Sequence, residues 1–222
     1  MNYPYRYEWT DNSFFSFLLP FLIEKKIPAK GILHIGAHTC EEKEEYNTAG
    51  ISDDRIVWIE GNKDLVQKNK ERGIDVYHAL IADTNKEVTF HITNFLASSS
   101  IYPLCVHKYF YPHIVESEMR TEQAVSLESF FSSHSLNPKQ YNIWNLDIQG
   151  AELDALKGAG PLLDYVDVIF TEINFEKMYE DIPLADTLIS FLKMKGFQMT
   201  HIKVWQNCWG DALFVRESFL EA

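Results

Sequence analysis

Cysteine, basic charge and long apolar runs are all scarce in this 222-residue sequence. The three cysteines, Cys40, Cys105 and Cys208, are odd in number and far apart, which argues against a disulfide framework and against a CxxC metal site. We therefore expect reduced thiols and a cytoplasmic protein. The 32 acidic residues outnumber the 20 basic ones, and the net charge of −12 argues against a nucleic-acid partner, which would require a basic surface.

The longest apolar run, residues 14–23, is interrupted by serine and proline and is too short to span a bilayer. Acidic residues precede it, and the lysines that follow are not joined to a small-residue cleavage site, so a signal peptide is not favoured. We predict a packed helix that ends at about Lys26, within an N-terminal helical extension over residues 1–30, and no membrane span.

Strand and helix patterns alternate along the rest of the chain, which predicts a mostly parallel sheet with helices on both faces. The last two strands, at about 198–204 and 212–216, have no helix between them and must pair as an antiparallel hairpin. A seven-stranded, Rossmann-like α/β sheet that ends in this way is typical of a class I methyltransferase, whereas a dehydrogenase would continue with parallel units. We expect one domain over 1–222, in which the long segment 94–120 is a loop that covers the substrate.

The stretch from Gly31 to Glu42 has a short apolar strand, a break at Gly36 and a polar helix predicted from about Thr39. A strand, a glycine turn and a helix N-terminus together make a nucleotide-type site, in which free backbone N–H groups face the ligand. A dinucleotide fingerprint would have three glycines where this chain has one. An ordinary tight turn is the alternative.

Two later segments suit an adenosine ligand. Glu60 ends the second predicted strand, at the sequence separation from Gly36 at which an acid typically binds ribose hydroxyls. The alternative is that Glu60 is an ordinary surface glutamate at a strand end. The segment after the third strand offers apolar contacts to the adenine base and an acid that could bind the amino edge of that base. The alternative is an ordinary transition from strand to loop. The residues of this segment are Leu80, Ile81, Ala82 and Asp83.

Acidic residues also follow the later buried strands. Asp147 ends a strand predicted beside the first one, and its charge needs a partner there: a ligand ammonium, a metal ion or a hydroxyl to be deprotonated. Glu152 begins the next helix, with a capping or a functional role. Glu172 and Asn174 close the next strand, where they could join Asp147 in binding Mg²⁺ or bind substrate directly. Mg²⁺ therefore remains an option to which we do not commit.

The loop at 94–120 carries Ser99 and Ser100, His107 and an aromatic run that includes Tyr109. His107 could act as a general base, and the aromatic rings could stack on a sugar face, although a loop histidine is usually a surface residue. His34 and His38 flank the glycine turn and are expected to be polar contacts near a cofactor.

With these motifs, the chain resembles the FkbM family of S-adenosylmethionine-dependent methyltransferases from about Ile32 to Val215. The resemblance is carried by five motifs, His34-Ile-Gly-Ala-His38, Trp58-Ile-Glu-Gly-Asn62, the serines before Ile101, Asp147-Ile-Gln-Gly-Ala-Glu152 with Leu156-Lys-Gly-Ala-Gly160, and Trp209-Gly-Asp-Ala-Leu-Phe214. It implies O-methyl transfer to a hydroxyl of a sugar, glycan or small natural product. Many members have Asp at the position of His34 and Gly at that of Cys40.

The resemblance implies that the turn at Gly36 faces the methionine part of the cofactor, that Glu60 holds the ribose and that Asp147 lies at the reaction centre. Asp147 and His107 are the expected catalytic residues. The expected cofactor-binding residues are His34, Gly36, Ala37, His38, Glu60, Gly61, Asn62, Leu80, Ile81, Ala82, Asp83, Asp147 and Gln149, and the expected substrate residues are Ser99, Ser100, Tyr109, Glu172 and Asn174. A cofactor-binding module without turnover and, less favoured, an NAD-linked oxidoreductase are the alternatives.

Overall fold

The computed structural model describes residues 14–220. Its helices are α1 (Phe14–Glu24), α2 (Lys43–Thr48), α3 (Lys63–Glu71), α4 (His107–Phe110), α5 (Leu127–Ser133), α6 (Glu152–Gly158) and α7 (Ala185–Met194). Its strands are β1 (Ile32–Ile35), β2 (Ile56–Glu60), β3 (Val76–His78), β4 (Leu80–Ile81), β5 (Lys86–Thr93), β6 (Glu116–Val125), β7 (Ile143–Leu146), β8 (Val168–Asn174), β9 (Phe197–Trp205) and β10 (Trp209–Arg216). Within residues 14–220, no helix has the length and apolar character that crossing a membrane requires.

The main sheet has seven strands in the order β3-β2-β1-β7-β8-β10-β9. Its first five strands are parallel, and β10 lies antiparallel between β8 and β9. This confirms the predicted Rossmann-like sheet with its terminal hairpin. Because β1 pairs with β2 on one side and with β7 on the other, the strand order reverses there, and a crevice forms at the carboxyl ends of these strands.

The sheet is covered on both faces because the side chains of its central strands alternate between two apolar clusters. In β1, Leu33 and Ile35 pack into a cluster that also contains residues of α5, α6 and α7. Ile32 points to the other face, where Leu22 of α1 and Tyr46 of α2 complete a second cluster. All four β1 residues are buried. Because successive side chains of β1 point to opposite faces, both faces of the strand are packed, and β1 lies in the buried layer below the crevice.

A second, three-stranded sheet in the order β4-β6-β5 was not predicted. Its strand β6 begins inside the segment 94–120, which also contains α4, so the prediction of one long loop there was wrong. The sequence of β6 is polar on both faces and most of its residues are exposed, so no apolar alternation marks it. The strand is instead held by its antiparallel pairing with β5.

Three predicted boundaries also need correction. The helix after the glycine turn begins at Lys43 rather than near Thr39. Strand β8 continues to Asn174, so Glu172 lies within it. Strand β10 begins at Trp209, which pairs with Asn174, so Trp209 and the next two residues belong to the strand and not to the hairpin turn. The predicted start of the N-terminal helix, near residue 12, lies outside the described residues.

The ends of β1 and β7 approach each other so closely that only glycine fits at Gly36. A Cβ there would lie 1.8 Å from the carbonyl oxygen of Asp147, and the φ angle is +90°. Gly50 has a similar φ of +82°, but a Cβ at Gly50 would have no neighbouring atom within 4 Å.

We predict that Gly36→Ala lowers the free energy of unfolding by more than about 3 kcal/mol, since it adds a backbone clash to the conformational strain. Gly50→Ala is the matched control and should cost only about 1–2 kcal/mol, the strain alone. Urea unfolding of both variants measures the difference. Equal losses would show that the contact with Asp147 does not constrain the turn.

Candidate functional site

A first cleft of about 250 Å³ lies at the carboxyl ends of β1, β2 and β7. Strand ends, the glycine turn and part of the segment 94–120 form its walls. It is lined by Ile35, Gly36, Ala37, His38, Glu41, Glu42, Glu60, Gly61, Ala79, Leu80, Ile81, Phe90, Leu96, Ala97, Ser99, Ser100, Ile101, Asp147, Ile148, Gln149 and Ala151. Several residues predicted to bind the cofactor therefore lie together at this edge of the sheet.

Glu60 connects the glycine turn to the end of β2. One carboxylate oxygen accepts a hydrogen bond from the backbone N–H of His38 at 2.8 Å, and the other accepts one from the N–H of Asn62 at 2.7 Å. The side chain is buried, and burial raises its pKa. Each oxygen has a further lone pair that can accept from a ligand hydroxyl in the cleft.

The glycine turn does not lead directly into a helix. The N–H groups of Gly36 and Ala37 both donate to the carbonyl of Ile59, at 2.9 Å, and His38 donates to Glu60. The backbone then passes through left-handed conformations at His38 (φ +43°) and Cys40 (φ +56°) before α2 begins. The predicted helix start at the glycine turn was therefore wrong, and the N–H groups of the turn itself bond within the protein.

His34 does not reach the cleft. It is 2% exposed, with its Nδ1 2.9 Å from the Tyr46 hydroxyl and its ring 4.7 Å from that of Trp58. Burial lowers the pKa of His34 to about 4, so it is neutral. Cys40 is also buried, and burial raises the pKa of its thiol to about 12. His34 and Cys40, the two positions at which the chain departs from the family pattern, therefore both lie in the core behind the glycine turn.

Two glutamates that the sequence predictions missed line the first cleft. Glu41 lies 2.7 Å from Nδ1 of His38. Burial raises the pKa of Glu41, but hydrogen bonds from His38 and Thr39 outweigh this and bring it to about 2. Burial raises the pKa of Glu42 to about 7, and its Oε2 has no hydrogen-bond partner among the described residues. The sequence signal that could have identified them is the pair of adjacent acidic residues just before α2.

The other end of the first cleft is apolar. Leu80 and Ile81 line it as predicted, together with Phe90, Leu96 and Ile101, which were not predicted. This end therefore offers a surface for a flat, apolar group such as a base.

Three residues predicted to bind the cofactor do not line the cleft. Ala82 is fully buried in the small sheet's core. Asp83 forms an ion pair with Lys86 at 2.7 Å, which lowers its pKa. Asn62 is buried and caps α3 by accepting from the N–H of Asp64 at 3.0 Å. These side chains are thus engaged in local structure.

A second cleft of about 570 Å³ adjoins the first. Its walls come from β8, from the β9–β10 hairpin and from the segment 94–120. It is lined by Phe95, Ala97, Ser98, His107, Tyr111, His113, Ile114, Asp147, Gln149, Glu172, Met178, Tyr179, Trp205, Trp209 and Asp211. Asp147, Gln149 and Ala97 line both clefts and mark their junction.

Gln149 forms the centre of a hydrogen-bond network at this junction. Its amide nitrogen donates to Asp147 at 2.6 Å and to Glu172 at 3.1 Å. Its amide oxygen accepts from the Tyr179 hydroxyl at 2.6 Å, and its backbone carbonyl accepts from the Ser100 hydroxyl at 2.7 Å. The left-handed φ of +55° at Gln149 directs these groups toward both clefts. One side chain thus holds the two carboxylates in position.

Three carboxyl groups of the second cleft have raised pKa values. Burial is the largest cause for Asp147, Glu172 and Asp211, and the charge of Asp147 raises the pKa of the other two further. Asp147 is open to the clefts, but the surrounding protein limits its hydration. Glu152 accepts from the N–H groups of Ile148 and Gly150, so it holds the turn that carries Gln149.

His107 lies in the second cleft, 5% exposed, at the start of α4. Its Nδ1 has no hydrogen-bond partner among the described residues. Burial, followed by the nearby His113, lowers its pKa, so the ring is neutral. Tyr109, the predicted stacking residue, instead projects into solvent, 75% exposed.

The remaining predicted substrate residues are divided between the two clefts. Ser99 and Ser100 lie in the first cleft rather than the second. Glu172 lines the second cleft. Asn174 is buried, and its side-chain amide donates a hydrogen bond to the carboxylate of Glu172 at 3.1 Å. The sequence predictions missed Tyr179, Trp205, Trp209 and Asp211 as parts of the second cleft. Asp211 is the one acid in the apolar strand β10, a signal that was available.

The set Asp147, Glu172 and Asn174 does not form a metal centre by itself. The amide group of Asn174 donates to Glu172, and Gln149 lies between Glu172 and Asp147. Across residues 14–220, no group of three or more His, Cys, Asp or Glu residues is placed to hold a metal ion.

A family model, the methyltransferase FkbM domain, matches residues 34–199. The chain belongs to the FkbM methyltransferase family. This confirms the resemblance seen in the sequence and makes S-adenosylmethionine the cofactor. An NAD-linked oxidoreductase does not fit this family.

No curated protein sequence matches the chain. Among solved structures, magnesium protoporphyrin IX methyltransferase from Synechocystis PCC 6803, with bound S-adenosylmethionine, is similar at 9% identity and a TM-score of 0.45, covering 91% of this chain and 77% of that one. A protein assigned as a caffeoyl-CoA O-methyltransferase from Staphylococcus aureus is similar at 11% identity and a TM-score of 0.43, covering 92% and 84% of the two chains.

Glu42 makes the stability of the ligand-free protein depend on pH. A carboxyl whose pKa is raised on folding favours the folded state below its unfolded value and loses that contribution as pH rises through its folded value. For Glu42 these values are 4.5 and about 7, with Glu41 and Glu45 raising the pKa and His38 opposing them.

We predict that Glu42→Gln makes the protein more stable than wild type by about 1–2 kcal/mol at pH 8, with the difference shrinking toward pH 4.5. Urea unfolding at both pH values measures this. Glu44→Gln, an exposed change in α2, should show no such pH dependence. A constant difference for Glu42→Gln would contradict the assignment.

Proposed function

We propose that this protein is an S-adenosylmethionine-dependent O-methyltransferase that acts on a hydroxyl of a sugar, glycan or small natural product. The observation that carries the proposal is the meeting of the two clefts at Asp147 and Gln149. A methyl donor in the first cleft and a hydroxyl in the second would be adjacent at this junction. Adjacency of this kind supplies much of the rate in a transfer between two bound molecules.

The chemistry of the first cleft suits the cofactor. Glu60 would accept hydrogen bonds from the two ribose hydroxyls with its remaining lone pairs. The apolar end around Leu80 and Phe90 would hold the adenine, without Asp83. At the opposite end, Glu42 and Asp147 offer negative charge to the cationic amino-acid part. Gly36 and Ala37, which line the cleft, would lie along that part.

The proposed reaction needs alignment, exclusion of water and removal of one proton. When bound, S-adenosylmethionine supplies an electrophilic methyl group on a positively charged sulfur. The acceptor oxygen would take this methyl group as the bond from the methyl carbon to sulfur breaks, which leaves a neutral thioether, and Asp147, whose raised pKa suits a base, would accept the hydroxyl proton. His107 is the alternative base, because its ring is neutral and lines the second cleft.

The segment 94–120 would cover the acceptor. Seven of its residues line the second cleft, namely Phe95, Ala97, Ser98, His107, Tyr111, His113 and Ile114. Backbone hydrogen bonds from Cys105 and His107 to the carbonyl of Met178 attach the segment to the opposite wall. Such a cover would exclude water from the transfer.

Glu60→Gln tests the cofactor site. We predict that it weakens binding of S-adenosylhomocysteine by about tenfold or more, because an amide cannot accept from both ribose hydroxyls and both backbone N–H groups. Calorimetric titration measures the affinity. Glu71→Gln, in the exposed part of α3, is the control and should bind as wild type does. Unchanged affinity of the Glu60 variant would remove Glu60 from the site.

Asp147→Asn tests the reaction centre. We predict at least about a 100-fold loss of labelled methyl transfer to a panel of hydroxyl acceptors, since a positioned base contributes on that order. Asp75→Asn, an exposed change, should retain full activity. Full activity in Asp147→Asn would exclude Asp147 as the base. Absence of transfer by wild type to every acceptor, with S-adenosylhomocysteine bound, would favour a module without turnover.

A further inference from the structure

The second cleft is more acidic than transfer to a neutral hydroxyl requires. Asp147, Glu172 and Asp211 line it, and no Lys or Arg is among its lining residues in the described chain. From the contacts of these acids and the chemistry of the walls, we infer that the acceptor carries an ammonium group that binds between Glu172 and Asp211, as in an amino sugar or another hydroxylated amine. This inference rests on the proposed function and names its substrate class.

The hairpin brings the two acids together. The antiparallel register places Asp211 of β10 directly opposite Glu172 of β8, and directly opposed residues project from the same face of a sheet. Like charges in this position repel each other, and the charge of Asp211 raises the pKa of Glu172 further. A cation between the two side chains would offset this repulsion.

The protein itself does not neutralise these acids. Glu172 accepts hydrogen bonds from two neutral amides, those of Gln149 and Asn174. No ion pair in the described chain involves Glu172 or Asp211. Lys203 lies opposite Asp211 on β9, and its charge opposes the rise in the pKa of Asp211, but its ammonium group is placed over the ring of Trp205, 5.0 Å from the centroid, and forms no ion pair with the acid. The charge of the acids is thus available to a ligand.

The cofactor does not supply the missing cation. Asp147 lines both clefts and can face the sulfonium, whereas Glu172 and Asp211 line only the second. One of the three carboxylates is therefore accounted for by the cofactor. A positive charge on the molecule that occupies the second cleft would stabilise the ionised forms of the other two.

The walls of the second cleft provide independent support. Trp205 and Trp209 stack with centroids 4.6 Å apart, and Trp209 donates to the Tyr111 hydroxyl at 3.3 Å. Aromatic faces attract ammonium groups and also pack on sugar rings. His107 is 5% exposed and neutral, and its unpartnered Nδ1 faces a cleft in which a polar group of a ligand can bond to it. A hydroxylated amine has all of these properties.

Matched acceptors test the inference. We would titrate S-adenosylhomocysteine-loaded protein with three amines, a methyl 2-amino-2-deoxyhexoside, an aminocyclitol and a linear amino alcohol. Each has two neutral counterparts, the N-acetyl derivative and the corresponding alcohol. For at least one scaffold, the amine should bind at least about tenfold more tightly than both counterparts, since charge-assisted hydrogen bonds contribute on this order.

The preference should depend on the two acids. Asp211→Asn and Glu172→Gln should each reduce the amine preference to within about threefold. Glu87→Gln removes the same charge from an exposed position on β5 and should retain the preference. Thermal unfolding identifies any variant that fails to fold, in which case the other variant decides the question.

The outcomes separate the inference from the proposed function. Equal or tighter binding of the neutral compounds in all three scaffolds would overturn the inference, as would Mg²⁺ that binds the cleft and excludes the amine. Labelled methyl transfer to neutral acceptors without amine preference would overturn it while leaving the O-methyltransferase in place. Amine preference without transfer to any acceptor would instead support the binding site and contradict the proposed activity.

Discussion

The site depends on the close approach of two chain segments at Gly36 and the backbone of Asp147. The parallel strands β1 and β7 are adjacent, and a side chain at Gly36 would collide with the Asp147 carbonyl. With glycine present, the segments that follow β1 and β7 can both turn away from the sheet at the same level, the first toward Glu60 and the second toward Gln149. This separation opens the first cleft and leaves Asp147 between it and the second.

Burial of acidic groups is the second constraint, and it acts against stability. Glu42, Glu152, Glu172 and Asp211 all have raised pKa values because their ionised forms are poorly hydrated. A structure selected for stability alone would avoid such groups or pair them with cations. Glu152 holds the turn by hydrogen bonding to backbone N–H groups. For the acids of the second cleft, binding a positively charged ligand would offset the cost.

The sequence predicted features that depend on local pattern and missed those that depend on distant partners. The mostly parallel sheet with its terminal hairpin was predicted, and Glu60, which ends a predicted strand, lines the first cleft, because apolar runs and strand ends are visible along the chain. β6 was missed because its pairing with the distant strands β4 and β5, and not an apolar pattern, makes it a strand. Asp83 was assigned to a ligand, whereas the structure pairs it with Lys86. His34 lies against Tyr46 and Trp58, which a linear pattern cannot show.

The terminal hairpin determines which chemistry the second cleft can offer. If the chain after β8 continued with parallel units, each new strand would be added at the sheet edge after a crossover helix. Instead β10 is inserted between β8 and β9, so its first residues face the end of β8 where the clefts meet. Trp209 and Asp211 thereby join Glu172 beside Asp147. The ends of β1 and β2 line only the first cleft, and β10 lines only the second, so under the proposed function the acceptor could change while the cofactor site is retained.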